Sequence, residues 1–448
     1  MAIVFDGTRE SYVERLSEFL DSEQKNAPEW VNTLRREAIS GFAELGFPTL
    51  SDEEWRFTNL EALRRGSFSI AENGISGVSK KSVDSYGFPG LDCPRLVFVN
   101  GRFAPSLSDT VDAGKGILVK SLSEAISEQG DLVKDHLARY ADYEKDAFIS
   151  LNTSYFEDGV FVYVPDGTVF EQPVHVLHVS TDEGRPLFIN PRNLIIVGQS
   201  SVAKVIEHYV SASQSVYFSN VVTEVVCGEN ANLEHYRLEF ESQKAFNFST
   251  LRVNQQKNSN IASHSVLCGG AIVRNNVHPV LAGEGCNSDI YGLFISEGRQ
   301  HMDNFMRVEH ASPHCDSRQF YNGVLDGRSK GVFHGRILVH EGAEKTDAKQ
   351  TNRNLLLSDT AQIDTKPQLE IYNDDVKCTH GATIGQMDEE ALFYLRSRGI
   401  SARQAKIIML QAFTGETLEH MSIDSVREAL ESVVMKWFEQ RLENGKAR

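Results

Sequence analysis

Val160-Phe161-Val162-Tyr163-Val164, Val174-His175-Val176-Leu177 and Asn193-Leu194-Ile195-Ile196-Val197 are short apolar runs with which the chain changes to a period of two. Runs of about five residues, rich in β-branched side chains and bounded by turn formers, read as strands. Turn-forming clusters recur near Gly167, Gly198, Gly228, Asn258 and Gly283, at intervals of 31, 30, 30 and 25 residues. Further along they fall near Gly327, Gly342, Asp359 and Asp374, at 15, 17 and 15, about half the earlier spacing. A fixed repeat of short strands with no helical pattern between them suits a strand solenoid better than a sandwich. The expected fold is therefore mainly β, with a solenoid core over 156–386.

Outward from the core, helical spacing takes over on both sides. Residues 1–155 read as mostly helical, with Tyr12, Leu16, Phe19 and Leu20 on one stripe and Trp30, Leu34, Ala38, Phe42 and Leu45 on another. Ser51 and Glu54 have the spacing of a capping box. Leu96 to Phe103 reads as a hairpin, because Asn100-Gly101 tolerates the positive φ angles of a two-residue turn. Residues 120–155 return to helical spacing.

Beyond Met387 the period changes again, so 387–448 is expected to be a helical domain. Asp388 can cap a helix running through Leu395, with Gly399 placed to end it. Ser401 and Gln404 form a second capping box, and a last helix carries Val426, Leu430, Val433, Val434, Trp437, Phe438 and Leu442. Helices this short need a surface to pack on, either the solenoid or a partner protein.

Composition excludes several function classes. The 448 residues carry a net charge of −17 and no block of basic residues, which opposes binding to nucleic acid phosphates. The start MAIVFDGTRESYVERL lacks the pattern of a secretory signal, and no apolar run reaches the length of a membrane span. Six scattered cysteines form no C-x-x-C pair, which argues against a zinc site or disulfide framework and for a reducing, cytoplasmic setting. No phosphate-cradling G-x-x-x-x-G-K-[ST] or G-x-G-x-x-G loop occurs, so any ATP chemistry belongs to another chain.

Three groups of residues carry candidate chemistry. Gly327-Arg328-Ser329-Lys330-Gly331 matches the serine-hydrolase pattern, but the next residues, Val332 to Val339, read as a strand rather than the helix that motif needs, which favours a solenoid turn. Glu309, His310, His314 and Cys315 are of metal-ligating types. On a strand, however, positions four apart lie roughly 13 Å from each other and neighbours point to opposite faces, so a structural role is expected. Cys378 and His380 are two apart and project from one face of a strand, about 7 Å from each other. They could serve one soft-metal site, but a zinc or iron–sulfur centre normally takes four ligands. The alternative is a buried Cys and a hydrogen-bonded His.

Several segments together resemble the SufB/SufD family of iron–sulfur cluster assembly proteins. They are Gly46-Phe47-Pro48-Thr49 with Glu54-Trp55-Arg56-Phe57-Thr58-Asn59-Leu60, the Asn100-Gly101 hairpin, and Leu151-Asn152-Thr153 leading to Asp158-Gly159-Val160. Phe333-His334-Gly335-Arg336-Ile337, Gln350-Thr351-Asn352-Arg353-Asn354-Leu355-Leu356-Leu357 and Phe393-Tyr394-Leu395-Arg396-Ser397-Arg398-Gly399-Ile400 complete the set. Within the family the chain is similar to the SufD branch: it has Lys377-Cys378-Thr379-His380-Gly381-Ala382-Thr383, where SufB has a glutamate at the place of Gly381. A SufB cysteine used in assembly falls near Ala361 here.

The resemblance implies a right-handed parallel β-helix between the two helical regions. It implies a non-catalytic scaffold, not an enzyme, in a complex with a SufB-like paralogue and a SufC-like ABC ATPase. In that complex Cys378 and His380 lie at the SufB-facing interface as a site for transient iron or a nascent cluster, with no cofactor intrinsic to this chain. The C-terminal helices, with Phe393, Tyr394, Arg396, Arg398 and Gly399, dock SufC. The resemblance leaves open a reduced flavin in the complex, and a free solenoid edge invites homodimers when SufB is absent. The alternative from the fold alone is a solenoid enzyme acting on acidic polysaccharide.

Overall fold

One residue per solenoid turn adopts a left-handed backbone at the same corner: Gly167, Ser200, Asn230, Asn258, Gly285, His314 and Lys345, with φ between 54° and 71°. Each donates its N–H to a carbonyl of the next turn, from Gly167 to Gln199 O (2.7 Å) through to Lys345 to Asp375 O (2.7 Å). This column sets the rise of a parallel β-solenoid. The computed structural model describes residues 3–22, 24, 27–72, 77–109 and 114–443. The outermost residues of the two expected terminal segments lie outside the described residues.

The chain alternates between two sheets, and successive strands of one sheet pair in parallel. In the second sheet the register runs Val202, Asn232, Asn260, Asn287, Asp316, Asp347, Lys377, so one turn takes 27 to 31 residues. Each turn has two corners, which explains why the later turn signals come at half the earlier interval. One of those later corners holds Gly327, with φ of 68°. Ser329 is buried beside it and bonded to Ser296 Oγ (3.0 Å), so the apparent hydrolase motif is a turn between strands Asp316–Leu325 and Lys330–Val339.

Alternation along the strands gives each sheet two apolar faces. Inward residues such as Val205, Leu233, Leu251, Val277, Phe294, Met306 and Phe333 form the solenoid core. The outer face of the first sheet offers Phe188, Phe218, Phe246 and Phe248 to the N-terminal helices Arg9–Ser22, Glu29–Leu45 and Ala147–Tyr155. Phe148 stacks on Phe248 with ring centroids 4.5 Å apart, and Trp55 lies over Phe148 at 5.1 Å. The outer face of the second sheet offers Ile206, Leu238, Val266, Leu293 and Val324 to the C-terminal helices Ala402–Leu418 and Asp424–Glu443. The surface these helices need is therefore the flank of the solenoid.

Several local expectations are met. Residues Tyr12, Leu16, Phe19 and Leu20 are buried together, Asn100 and Gly101 turn the hairpin with φ of 50° and 84°, and Asp388 caps helix Glu389–Ser397. The Ser401 hydroxyl accepts from the Gln404 amide at the next helix.

Others are corrected. Ser51 does not cap a helix: Asp52 accepts from the Thr49 amide (2.6 Å), and only the short 3-10 turn Glu53–Trp55 comes after it. The buried stripe of Glu29–Leu45 is Val31, Arg35, Ala38, Ile39 and Phe42, with Leu45 exposed. Arg35 can be buried there because it donates to Asn32 Oδ1, Gln24 Oε1 and Phe156 O. In the last helix Val426, Leu430, Val434 and Phe438 face the sheet, whereas Val433 lies off that row and is exposed.

The two ends of the solenoid differ. At the first end each sheet finishes in a short antiparallel pair, Val4–Phe5 with Phe68–Ser69 and Arg95–Val99 with Arg102–Phe103. At the other end strands Gln362–Ile371 and Lys377–Gly385 are the last of their sheets, and among the described residues no strand pairs beyond them. Unpaired N–H and C=O groups there form an open edge.

Candidate functional site at the last turn

Cys378 and His380 sit on that final strand, Lys377–Gly385, in register with Ala348 and Gln350 of the preceding turn. Strand alternation places both side chains on the inner face. Cys378 is half-buried among Ile337, Val339, Ala343 and Ala348, and this burial pushes its thiol up. His380 is exposed in this chain, as is Gly381 beside it. The histidine is thus open to whatever meets the edge rather than buried.

A Cβ built on Gly381 meets nothing within 4 Å, so the position is open to any side chain. Ala361, at the start of the neighbouring last strand, is buried in the solenoid core. Beneath His380, the Gln350 amide is almost fully buried, and neither its oxygen nor its nitrogen has a partner within the chain. Gln350 fits there because Gly335 faces it: a Cβ on Gly335 would lie 2.2 Å from Gln350 Nε2. An amide in the polar run Lys349-Gln350-Thr351-Asn352 carries no ligand signal in sequence; the pairing register exposes it.

The second set of candidate ligands does not converge. Glu309 pairs with His340 (2.7 Å), while His310 is buried on the opposite face with Ser317 Oγ (2.9 Å). His314 is the left-handed corner residue of its turn and is exposed. Cys315 is buried under the corner beside Cys286, and both thiols donate to Gly283 O (3.3 and 3.1 Å). Among the described residues no cluster of three or more His, Cys, Asp or Glu could hold a metal.

The docking residues expected on the C-terminal side are all at the surface. Helix Glu389–Ser397 buries none of its residues, and Phe393 and Tyr394 are 72% and 57% exposed. Arg398 lies over the Tyr394 ring at 5.1 Å and donates to its hydroxyl (3.2 Å), while Gly399 closes the helix with φ of 86°. Arg396 is exposed in the same turn. Two adjacent aromatics are therefore exposed on a helix that buries none of its residues.

No helix is long and apolar enough to cross a membrane among the described residues. Residues 7–176 match the model of the SufBD protein N-terminal region, and residues 178–413 match that of the SUF system FeS cluster assembly, SufBD core domain. The chain is 34% identical over 403 residues to the iron–sulfur cluster assembly protein SufD of Escherichia coli, covering 89% of this chain and 90% of the relative. It is 33% identical over 408 residues to an iron–sulfur cluster assembly SufBD family protein of Synechocystis, covering 89% of each. To the SufD of Bacillus subtilis it is 25% identical over 427 residues, 92% of this chain and 95% of the relative. The chain belongs to the SufBD family of iron–sulfur cluster assembly proteins.

Proposed function

We propose that this chain is a non-catalytic scaffold subunit of a cluster assembly complex, whose last solenoid turn pairs with a SufB-like paralogue and presents Cys378 and His380 to incoming iron or a nascent cluster. The observation that carries this reading is the asymmetry of the solenoid. One end finishes in the two-residue strands Val4–Phe5 and Arg102–Phe103, too short to template much pairing; the other leaves Gln362–Ile371 and Lys377–Gly385 free over ten and nine residues, the latter bearing a thiol and an imidazole on one face. Iron is cargo here, and a paralogue across the edge supplies the ligands that this chain lacks.

The exposed Phe393 and Tyr394, with Arg396, Arg398 and Gly399, form the contact for a SufC-like ABC ATPase. ATP-driven approach of two such subunits pulls on the C-terminal helices, and these are packed along the second sheet, so the motion reaches the edge. The same reading places the complex in the cytoplasm, allows a reduced flavin to serve it, and expects homodimers through the free edge when the paralogue is absent.

The test is His380→Ala in the whole complex, with cluster yield and iron content as the readouts. The reading expects a clear fall in both. Unchanged yield with unchanged iron would remove His380 from the mechanism.

A further inference from the structure

Three polar groups without partners stack toward the open edge: Gln319, Gln350 above it, and His380 on the last strand. Gln350 is paired in register with His380, and parallel neighbours are about 4.8 Å apart. The Gln350 amide is buried with both polar atoms unsatisfied. Leaving a buried amide unpaired is unfavourable, so such a group signals a water, an ion or a moving partner. The register also puts Gln350 on the same inner face as Cys378 and His380, and Gly335 leaves the room in which its amide sits.

We infer that the Gln350 side-chain oxygen is a third donor, which together with Cys378 sulfur and His380 nitrogen makes a three-donor site for a divalent first-row cation. The inference rests on the proposed role of the last turn and changes its ligand count. Sulfur, imidazole nitrogen and amide oxygen suit such a cation, and a site of four then needs one ligand from the partner rather than two. Binding would also give the buried amide oxygen the partner it lacks.

Three donors on one chain should bind metal without the paralogue. The test is anaerobic titration of the reduced, isolated full-length chain, diluted until it is monomeric, with Co(II), a spectroscopic stand-in for Fe(II). The expected result is one equivalent with a sulfur-to-cobalt charge-transfer band, absent in Cys378→Ser. Loss of an outer-shell partner alone lowers metal affinity by about 10–100-fold, so Gln350→Leu should weaken Co(II) binding by about tenfold or more. Gln350→Glu, which keeps the size and strengthens the donor, should bind at least as tightly as the wild type. Thermal melting of each variant reports the fold independently.

Wild-type affinity in a folded Gln350→Leu would overturn the inference, and so would no bound equivalent in the wild-type chain. Either failure leaves the scaffold reading standing, since that reading stands or falls with His380→Ala in the complex. If Gln350→Leu does not fold, Gln350→Glu decides: a folded protein with weakened Co(II) binding contradicts a donor at this position.

Discussion

Glu224 shows how much one side chain can organise. Its carboxylate accepts from the Ala138, Tyr140 and Ala141 amides (2.8, 2.9 and 2.9 Å) and from Arg192 Nη2 (2.6 Å), with both ionised side chains fully buried. Arg192 also donates to Asn152 Oδ1 and Thr153 Oγ1, while the Asn152 amide donates to Pro191 O and Asn220 O. The Leu151-Asn152-Thr153 segment is therefore a lock between the N-terminal helices and the first sheet. Breaking a buried ion pair from one side costs about 3–5 kcal/mol, because it strands the other charge. Glu224→Gln is expected to lower stability by about 3 kcal/mol, read as the midpoint of urea unfolding. At this scale the sequence shows residue types but not their company. Cys378 and His380 are recognisable because their spacing lies within one strand. Gln350, Arg192 and Glu224 are not, because their partners come from other turns of the solenoid. His314 misleads for the converse reason: its type suggests a ligand, but its position is a corner.

At the scale of elements, the C-terminal helices are held to the second sheet by an apolar face and a polar clasp. Glu234 on strand Asn232–Phe240 accepts from the Ser422 amide (2.9 Å) and hydroxyl and from Tyr236, and His264 Nε2 lies 3.3 Å from its carboxylate. Burial opposes its ionisation, but these hydrogen bonds outweigh it and bring the carboxyl down to about 2. A depressed carboxyl contributes stability that is present above its unfolded value of about 4.3 and is lost as pH falls toward the folded value. Amide exchange in Asp424–Glu443 should therefore show faster opening at pH 3 than at pH 5, after correction for intrinsic rates. Glu234→Gln loosens the clasp at both pH values and shrinks the difference between them. An equal difference in both proteins would take Glu234 out of the clasp. The helices themselves are legible from Asp388, Ser401 and the Val426, Leu430, Val434, Phe438 row. Their target is not, since Ile206, Leu238 and Val266 read equally well as core. The Trp30 stripe is partly right, with Ala38 and Phe42 buried and Trp30 and Leu34 half-buried, but hydrophobicity alone cannot anticipate the exposed Leu45 or a buried Arg35 held by three acceptors.

For the molecule as a whole, the repeat carries most of the fold, and the chain declares it through turn formers near Gly167, Gly198, Gly228 and Asn258. Pairing between turns makes one long body whose ends differ: one finishes in two-residue antiparallel strands, the other in free strands of ten and nine residues. That asymmetry is invisible in the sequence, because Lys377–Gly385 reads like any other strand until its missing neighbour is seen. It is also the basis of the proposed function, in which a partner that completes the sheets would complete a Cys378 and His380 site as well. The most direct test is hydrogen exchange of the chain alone, diluted until it is monomeric, and mixed with a SufB-like paralogue. The account expects new protection concentrated in Gln362–Ile371 and Lys377–Gly385, with 95–103 at the opposite end unchanged. Protection at the opposite end, or none at the last turn despite complex formation, would contradict it.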